Sequence, residues 1–284
     1  QAFVHRGDTA VVQSPAYDLY GPAVRLAGGQ AVEVPLLDSH GQWDLNGLLE
    51  ACTPQVKVVI LNTPHNPTGT VCPAGFLDAL AAHLDGTDTL VLSDEVYGPI
   101  VHDGRPEVSL ASCPGLRDRG LAFGSFGKLL QVTGWKIGWA VGPAALTAEL
   151  RKVHQYDVFS TGAPLQAALA AFLPTPEGRQ HLAGLAAMYQ SKRDRLLAGL
   201  EDTAWRCTPA AGGFFQVLDA SGIIDGNDGH WAREWTRTHG IATIPLSAFY
   251  TPPHPQLRLC FAKDDATLDA AVDRLRHIAD DHAH

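Results

Sequence analysis

The hydrophobic residues in the first half of the chain fall into short runs that alternate with stretches of helical periodicity. Six runs are predicted to form strands, at residues 9–12, 31–36, 56–61, 89–92, 121–124 and 137–141. The run at 56–61, VKVVIL, is almost continuously apolar, as expected for a strand covered on both faces. Helical patterns at 18–26, 45–52 and 75–84 separate the strands. This alternation predicts an α/β fold with a mainly parallel sheet.

The second half of the chain is predicted to contain more helix and fewer strands. Helical patterns occupy residues 143–153, 164–173, 179–200, 230–239 and 266–279, and strand-like runs occupy 214–218, 241–244 and 256–261. A chain of 284 residues is long enough for two packed lobes. We therefore predict a large domain at residues 1–178 and a smaller α+β C-terminal domain at residues 179–284.

Composition narrows the range of partners. The formal net charge of -9 argues against nucleic acid or an anionic membrane as the main partner. No apolar run approaches the ~20 residues that a membrane helix needs. The five cysteines are scattered and the histidines lack metal-ligand spacing, so we expect no disulfide framework, no metal site and a cytoplasmic location.

The start of the chain has a pattern of its own. Residues 1–7, QAFVHRG, read as the end of a helix closed by glycine, and the first residue is not Met. We therefore expect further sequence upstream of Gln1.

Two polar segments directly follow predicted strands, where ligands bind in α/β sheets. Residues 62–69, NTPHNPTG, form a rigid turn, in which Asn66 either caps the turn or faces a ligand. Asp94 ends the next strand, and a carboxylate there is costly unless it is paired. It is either a helix N-cap or an acceptor for a buried cation, with the Tyr97 hydroxyl directed to the same pocket.

A third segment follows the strand at 121–124. Ser125 and Lys128 lie in the sequence SFGK, and Lys136 lies in TGWKIGW a few residues later. Most lysines are simply exposed on the surface. The neighbours of Lys128 are mostly apolar, however, and desolvation lowers the pKa of a lysine and makes it nucleophilic.

Together, in this order, the three segments resemble the fold-type-I pyridoxal-phosphate (PLP) enzymes, the aspartate-aminotransferase superfamily. The resemblance is strongest to the kynurenine, glutamine–phenylpyruvate and methionine aminotransferases. Its most specific part is SFGKLLQVTGWKIGW at 125–139. PAYDLY at 15–20, GGFF at 212–215, IPLSAFY at 244–250 and RLCFA at 258–262 also follow the family order.

The resemblance implies the catalytic roles. Lys128 would hold PLP as a Schiff base and move the proton between substrate and cofactor. Asp94 would pair with the pyridinium nitrogen, which keeps the ring an electron sink. Tyr97 and Asn66 would hydrogen-bond the ring oxygen.

The remaining roles concern binding. By the same resemblance, Tyr17 would stack on the ring, and Ser125 and Lys136 would bind the phosphate. Arg258 would grip the substrate α-carboxylate as a planar fork, together with Asn66. The alternative for Arg258 is a surface ion pair, which its place in an apolar strand disfavours, and the alternative for Tyr17 is packing in the core.

The chain also departs from the family pattern. Lys136 stands where arginine is common, and Leu129 and Leu130 replace a more polar pair. The family's glycine-rich turn, whose helix N-terminus cradles the phosphate, would lie upstream of Gln1, as would the tyrosine lent to the partner subunit.

The activity implied is transamination between an L-amino acid, preferably aromatic or sulfur-containing, and a 2-oxo acid, in a homodimer. Three alternatives remain: a cysteine-conjugate β-lyase, the aminotransferase-like sensor domain of a transcription regulator, and a cofactor-free truncated relative.

Overall fold

The chain folds around two separate sheets. The computed structural model describes residues 1–38, 42–224, 226–249 and 255–282. The first sheet has the strand order β2-β1-β3-β4-β5-β6, in which β1 to β5 are parallel and β6 is antiparallel to β5. These strands are β1 (Thr9–Ser14), β2 (Gln30–Pro35), β3 (Val56–Asn62), β4 (Leu90–Asp94), β5 (Gly120–Ser125) and β6 (Gly138–Val141).

Helices return the chain between the parallel strands. They are α1 (Tyr20–Leu26), α2 (Leu45–Ala51), α3 (Phe76–His83) and α4 (Pro114–Arg117), while α5 (Phe126–Leu129) lies between β5 and the antiparallel β6. One face of the sheet packs Val11 and Val59 against Leu80 of α3, and the other packs Val58 against Val24 of α1. Burial on both faces explains why the central strands are apolar runs rather than alternating patterns.

The second sheet is antiparallel, with the order β7-β9-β8. Its core includes the fully buried Trp235 and Phe261. Residue 178, where we place the domain boundary, lies in the first turn of the long helix α8. The elements of this half are α6 (Ala144–Asp157), α7 (Ala163–Phe172), α8 (Pro176–Leu200), β7 (Phe215–Asp219), α9 (Asp228–Thr238), β8 (Ile244–Pro245), β9 (Gln256–Cys260) and α10 (Asp265–Asp281).

The α/β fold with a mainly parallel sheet is confirmed, but several local predictions are wrong. Residues 1–7 contain no helix, although Gly7 has the positive φ expected of a helix-ending glycine. The strand predicted at 241–244 is limited to Ile244–Pro245, because only these two residues pair with β9. None of the helices in the described ranges is both long and apolar enough to cross a membrane.

One buried arginine forms hydrogen bonds with both halves of the chain. Arg193 of α8 is 4% exposed and donates to Asp103 Oδ1 and Oδ2 at 2.7 and 2.8 Å. It also donates to the Ala210 carbonyl at 2.7 Å. These contacts hold α8 against the loop after β4 and the segment that precedes β7.

We expect Arg193→Ala to lower the urea midpoint of unfolding. The loss of the charged donor leaves the buried Ala210 carbonyl unpaired, which costs about 1–3 kcal/mol. The matched control is Arg195→Ala, which removes an exposed ion pair with Asp269 and should change the midpoint much less. Equal shifts for the two variants would contradict this role of Arg193.

Candidate active site

The carboxyl ends of the central strands bring the predicted polar segments together. Asn62 at the end of β3 lies beside Asp94 at the end of β4, and Asp94 lies beside Phe123 of β5. The Asn62 side-chain amide donates to the Asp94 carbonyl at 2.9 Å. The loops that carry Asn66 and Lys128 therefore start from one edge of the sheet.

Asp94 is a partly buried carboxylate with two protein donors. The Tyr20 hydroxyl donates to its Oδ2 at 2.5 Å and the Val96 amide to its Oδ1 at 3.2 Å. Burial raises the pKa of Asp94, while the bond from Tyr20, the bond from Val96 and the charge of Lys128 oppose that rise. The group is thus suited to accept a further hydrogen bond from a cationic ligand atom.

The Lys128 amine lies among aromatic rings. Its Nζ is 5.7 Å from the ring centroid of Tyr97 and 5.4 Å from that of Phe214. Gly127 allows this turn to pack closely, since a Cβ there would lie 2.9 Å from Thr133 Cα. Burial lowers the pKa of Lys128, and the charge of Lys136 lowers it further. Both effects increase the neutral, nucleophilic fraction of the amine.

Ser125 and Lys136 lie on either side of the β5–β6 connection. Ser125 pairs with Gly138 across the antiparallel strands, so Lys136 comes close to the turn that carries Lys128. Lys136 is exposed, with φ at 55°. The Ser125 hydroxyl has no hydrogen-bond partner among the described residues. A free hydroxyl and a lysine amine at one turn are groups that can bind an anion.

Arg258 reaches this edge from the second sheet. Its Nη1 donates to Asn66 Oδ1 at 2.6 Å, and Asn66 is 7% exposed. Its Cζ lies 4.1 Å from the ring centroid of Phe215 and 4.9 Å from that of Phe249. Burial lowers the pKa of Arg258, but a guanidinium stays charged throughout the physiological range. The alternative of a surface ion pair is not seen, since Arg258 makes no ion pair among the described residues.

Hydrogen bonds to Asn62 and within the loop hold the loop that carries Asn66. The Asn66 backbone N–H donates to Asn62 Oδ1 at 2.7 Å. His65 is 3% exposed, and burial lowers its pKa to about 3, so its ring is neutral. Its Nδ1 shares a hydrogen bond of 2.8 Å with Thr68 Oγ1. These contacts hold the loop so that the side-chain amide of Asn66 faces Arg258.

The two predicted tyrosines lie in different settings. Tyr97 is buried against Phe214 and Phe215, and burial raises its pKa well above the usual value. Tyr17 is 38% exposed and packs edge-on against Tyr20, with ring centroids 5.6 Å apart. Tyr17 is therefore not the core residue that packing alone would suggest.

Sequence reasoning assigned no role to Tyr20 or Phe249, which contact Asp94 and Arg258. Both lie in motifs that the sequence displays, PAYDLY and IPLSAFY. Tyr250, the last residue of the second motif, lies outside the described residues. In the sequence, Tyr20 lies three residues after Tyr17 and Phe249 lies nine residues before Arg258. Neither spacing indicates a contact with Asp94 or Arg258.

Comparison with known proteins identifies relatives over nearly the whole chain. The family model for aminotransferase class I and II matches residues 1–275. Methionine aminotransferase of Escherichia coli (strain K12) is 39% identical over 98% of this chain and 72% of its own length. Kynurenine–oxoglutarate transaminase 1 of Rattus norvegicus is 33% identical over 97% of this chain and 73% of its own. The solved structure of N-succinyldiaminopimelate aminotransferase from Mycobacterium tuberculosis superposes with a TM-score of 0.91 at 36% identity, covering 98% of this chain and 73% of that one.

Proposed function

This chain belongs to the aminotransferase class I and II family, whose members are generally PLP-dependent, and we propose how its residues serve that chemistry. The observation that carries the proposal is a desolvated amine and a buried carboxylate at one edge of the sheet. Asp94 is the last residue of β4, Lys128 lies in α5 directly after the neighbouring strand β5, and the charge of each influences the pKa of the other. Lys128 would attach the cofactor covalently, and Asp94 would bind its ring nitrogen.

The donor set fits PLP at each functional group. Asp94 still has acceptor capacity for a protonated ring nitrogen, because each carboxylate oxygen accepts two hydrogen bonds and has received one. The Ser125 hydroxyl, which has no partner within the described ranges, and the Lys136 amine suit a phosphate. Tyr97 and Asn66 are proposed to hydrogen-bond the ring oxygen, and Tyr17 to cover the ring face.

The same residues would divide the work of transamination. When bound, PLP supplies an electron sink for the amino acid Cα. The Lys128 amine is proposed to take the Cα proton and return it, which suits its lowered pKa. Arg258 and Asn66 would bind the α-carboxylate and orient the substrate, since a guanidinium binds a carboxylate through two parallel hydrogen bonds.

We propose an aromatic or sulfur-containing L-amino acid as the preferred donor. Support comes from the surroundings of the carboxylate-binding group: Phe215 and Phe249 flank Arg258, and Phe214 lies beside Lys128. Aromatic walls favour apolar side chains and thioethers over charged ones. Relatives named for methionine and kynurenine agree with this preference, whereas the relative named for succinyldiaminopimelate handles an acidic substrate.

A panel of half-reactions tests the proposed function. The PLP-loaded protein would be mixed with methionine, phenylalanine, kynurenine, aspartate and succinyldiaminopimelate, and the 2-oxo acid and pyridoxamine phosphate would be measured. We expect the first three donors to have the highest kcat/KM. A preference for the acidic donors would overturn the substrate proposal. Pyruvate and ammonia from cysteine conjugates, without pyridoxamine phosphate, would indicate a β-lyase instead.

We also propose that the protein acts as a homodimer. Tyr156, Val158 and Phe159, at and just beyond the end of α6, are 87%, 56% and 80% exposed, and contiguous exposed apolar side chains commonly mark a protein–protein interface. Sedimentation of the purified protein at micromolar concentration would give twice the mass of one chain, and a monomer mass would contradict this proposal.

The reactivity of Lys128 should depend on pH in a defined direction. Since burial and Lys136 lower the pKa of Lys128, its neutral fraction rises at a lower pH than that of an ordinary lysine. We expect labelling of Lys128 by acetic anhydride in the apoprotein, followed by mass spectrometry, to rise with pH. Lys136→Met should move this profile to higher pH, because a repelling positive charge is lost.

The matched control for that experiment is Lys152→Met. Lys152 is exposed on α6 and pairs with Glu149, so its removal should leave the Lys128 profile in place. A profile that does not move in Lys136→Met, or that moves equally in both variants, would contradict the electrostatic coupling of Lys128 to Lys136.

A further inference from the structure

Tyr20 makes a contact that joins two elements distant in sequence. It is the first residue of α1, and its hydroxyl donates to Asp94 Oδ2 at 2.5 Å, across 74 positions of the chain. The ring is held from the other side by Tyr17, which packs edge-on against it. The contact therefore links the loop after β1 to the end of β4.

The direction of this hydrogen bond is set by chemistry. An ionised carboxylate only accepts, so Tyr20 must be the donor. Burial and the neighbouring Asp94 raise the pKa of Tyr20 well above its usual value, so the hydroxyl keeps its proton. With the Val96 amide on Oδ1, each carboxylate oxygen has one protein donor, and the plane of the carboxylate is fixed.

We propose that Tyr20 is a positioning residue for the cofactor, which acts through Asp94 by holding its carboxylate ionised and oriented toward the ring nitrogen. This inference rests on the proposed function, specifically on Asp94 as the partner of that nitrogen. Tyr20 itself is not assigned a contact with PLP.

The physical reason lies in the cost of a desolvated charge. Burial favours the neutral form of Asp94, and the Tyr20 bond opposes this effect. Without that donor the carboxyl group gains a proton more easily and can rotate about its Cβ–Cγ bond. A neutral or misoriented carboxyl group stabilises a protonated ring nitrogen less well.

The test removes one oxygen atom. Tyr20→Phe keeps the ring and its packing against Tyr17, and we expect the apoprotein to bind PLP about ten- to a hundredfold more weakly, as for loss of one hydrogen bond to a charged group. Affinity is measured by titrating the apoprotein with PLP and following tryptophan fluorescence. The matched control is Tyr189→Phe, which keeps the ring and removes a buried hydroxyl that accepts from Gln131 and makes no bond to Asp94, so PLP affinity should stay unchanged.

A cofactor analogue distinguishes an effect of Tyr20 on the Asp94–ring nitrogen contact from a general loss of binding contacts in the site. In 1-deazapyridoxal phosphate a C–H group replaces the ring nitrogen, so Asp94 has no cation to pair with. Tyr20→Phe should weaken binding of PLP but change the affinity for this analogue by less than about twofold, which is within the coupling expected of independent sites. Equal losses for PLP and the analogue, or no loss of PLP affinity, would overturn the inference. A wild-type protein that binds no PLP would instead overturn the proposed function, and this inference with it.

Discussion

Lys128→Ala is expected to abolish both turnover and the visible absorbance of covalently attached PLP. The variant loses the only amine placed beside the rings of Tyr97 and Phe214 among the described residues. It also loses the group proposed to move the Cα proton, and a positioned proton-transfer group contributes up to about 10⁴-fold to a rate. We therefore expect kcat to fall by about 10⁴-fold, measured as 2-oxo acid formed from methionine.

The fold should survive this change, because Lys128 is partly exposed and makes no ion pair in the described part of the chain. Far-ultraviolet circular dichroism should match the wild type. Lys152→Ala serves as the control lysine and should retain the absorbance. Borohydride reduction of the wild type, followed by peptide mapping, should place the reduced cofactor on Lys128. Visible absorbance retained in Lys128→Ala would exclude this residue as the anchor.

Most of the larger elements could be predicted from hydrophobic patterning. The strand β3 and the long helix α8 were predicted to within a few residues, because β3 is a continuous apolar run and α8 is a long stretch of helical pattern. The short helices α4 and α5 were not predicted, since four residues contain little more than one turn. The antiparallel direction of β6 was not predicted either, because an apolar run does not show whether the strand runs parallel or antiparallel to its neighbour.

The candidate site was predicted in part, and the limit has a physical cause. Asp94, Lys128 and Ser125 follow strands, and parallel strands end at one edge, so their proximity follows from fold class alone. The contact of Arg258 with Asn66 joins residues 192 positions apart, from two sheets, and could be expected only through family resemblance. The Tyr20 hydrogen bond to Asp94 could be expected neither from the fold class nor from the resemblance, since it depends on where the first residue of α1 lies relative to the end of β4.

Arg258→Lys should raise KM for amino acids and 2-oxo acids alike. Both substrates present a carboxylate to the same group, and lysine keeps the charge but has no planar fork to bind it. The guanidinium also packs between the rings of Phe215 and Phe249 and donates to Asn66, contacts that a compact ammonium reproduces poorly. Loss of one charge-assisted hydrogen bond, about 1.5–3 kcal/mol, corresponds to a rise in KM of roughly ten- to a hundredfold.

Steady-state kinetics with methionine and with several 2-oxo acids would check this expectation, since a carboxylate-binding role requires parallel increases in both KM values. Arg237→Lys is the control, because this exposed arginine on α9 forms an ion pair with Glu234 and no other in the described part of the chain. The amine analogue of methionine, which lacks the carboxylate, adds a stricter comparison. The wild type should have a much higher kcat/KM for methionine than for this amine. In Arg258→Lys the ratio of the two kcat/KM values should fall by the same factor by which the KM for methionine rises. If the wild type uses the amine as well as methionine, Arg258 does not bind the substrate carboxylate.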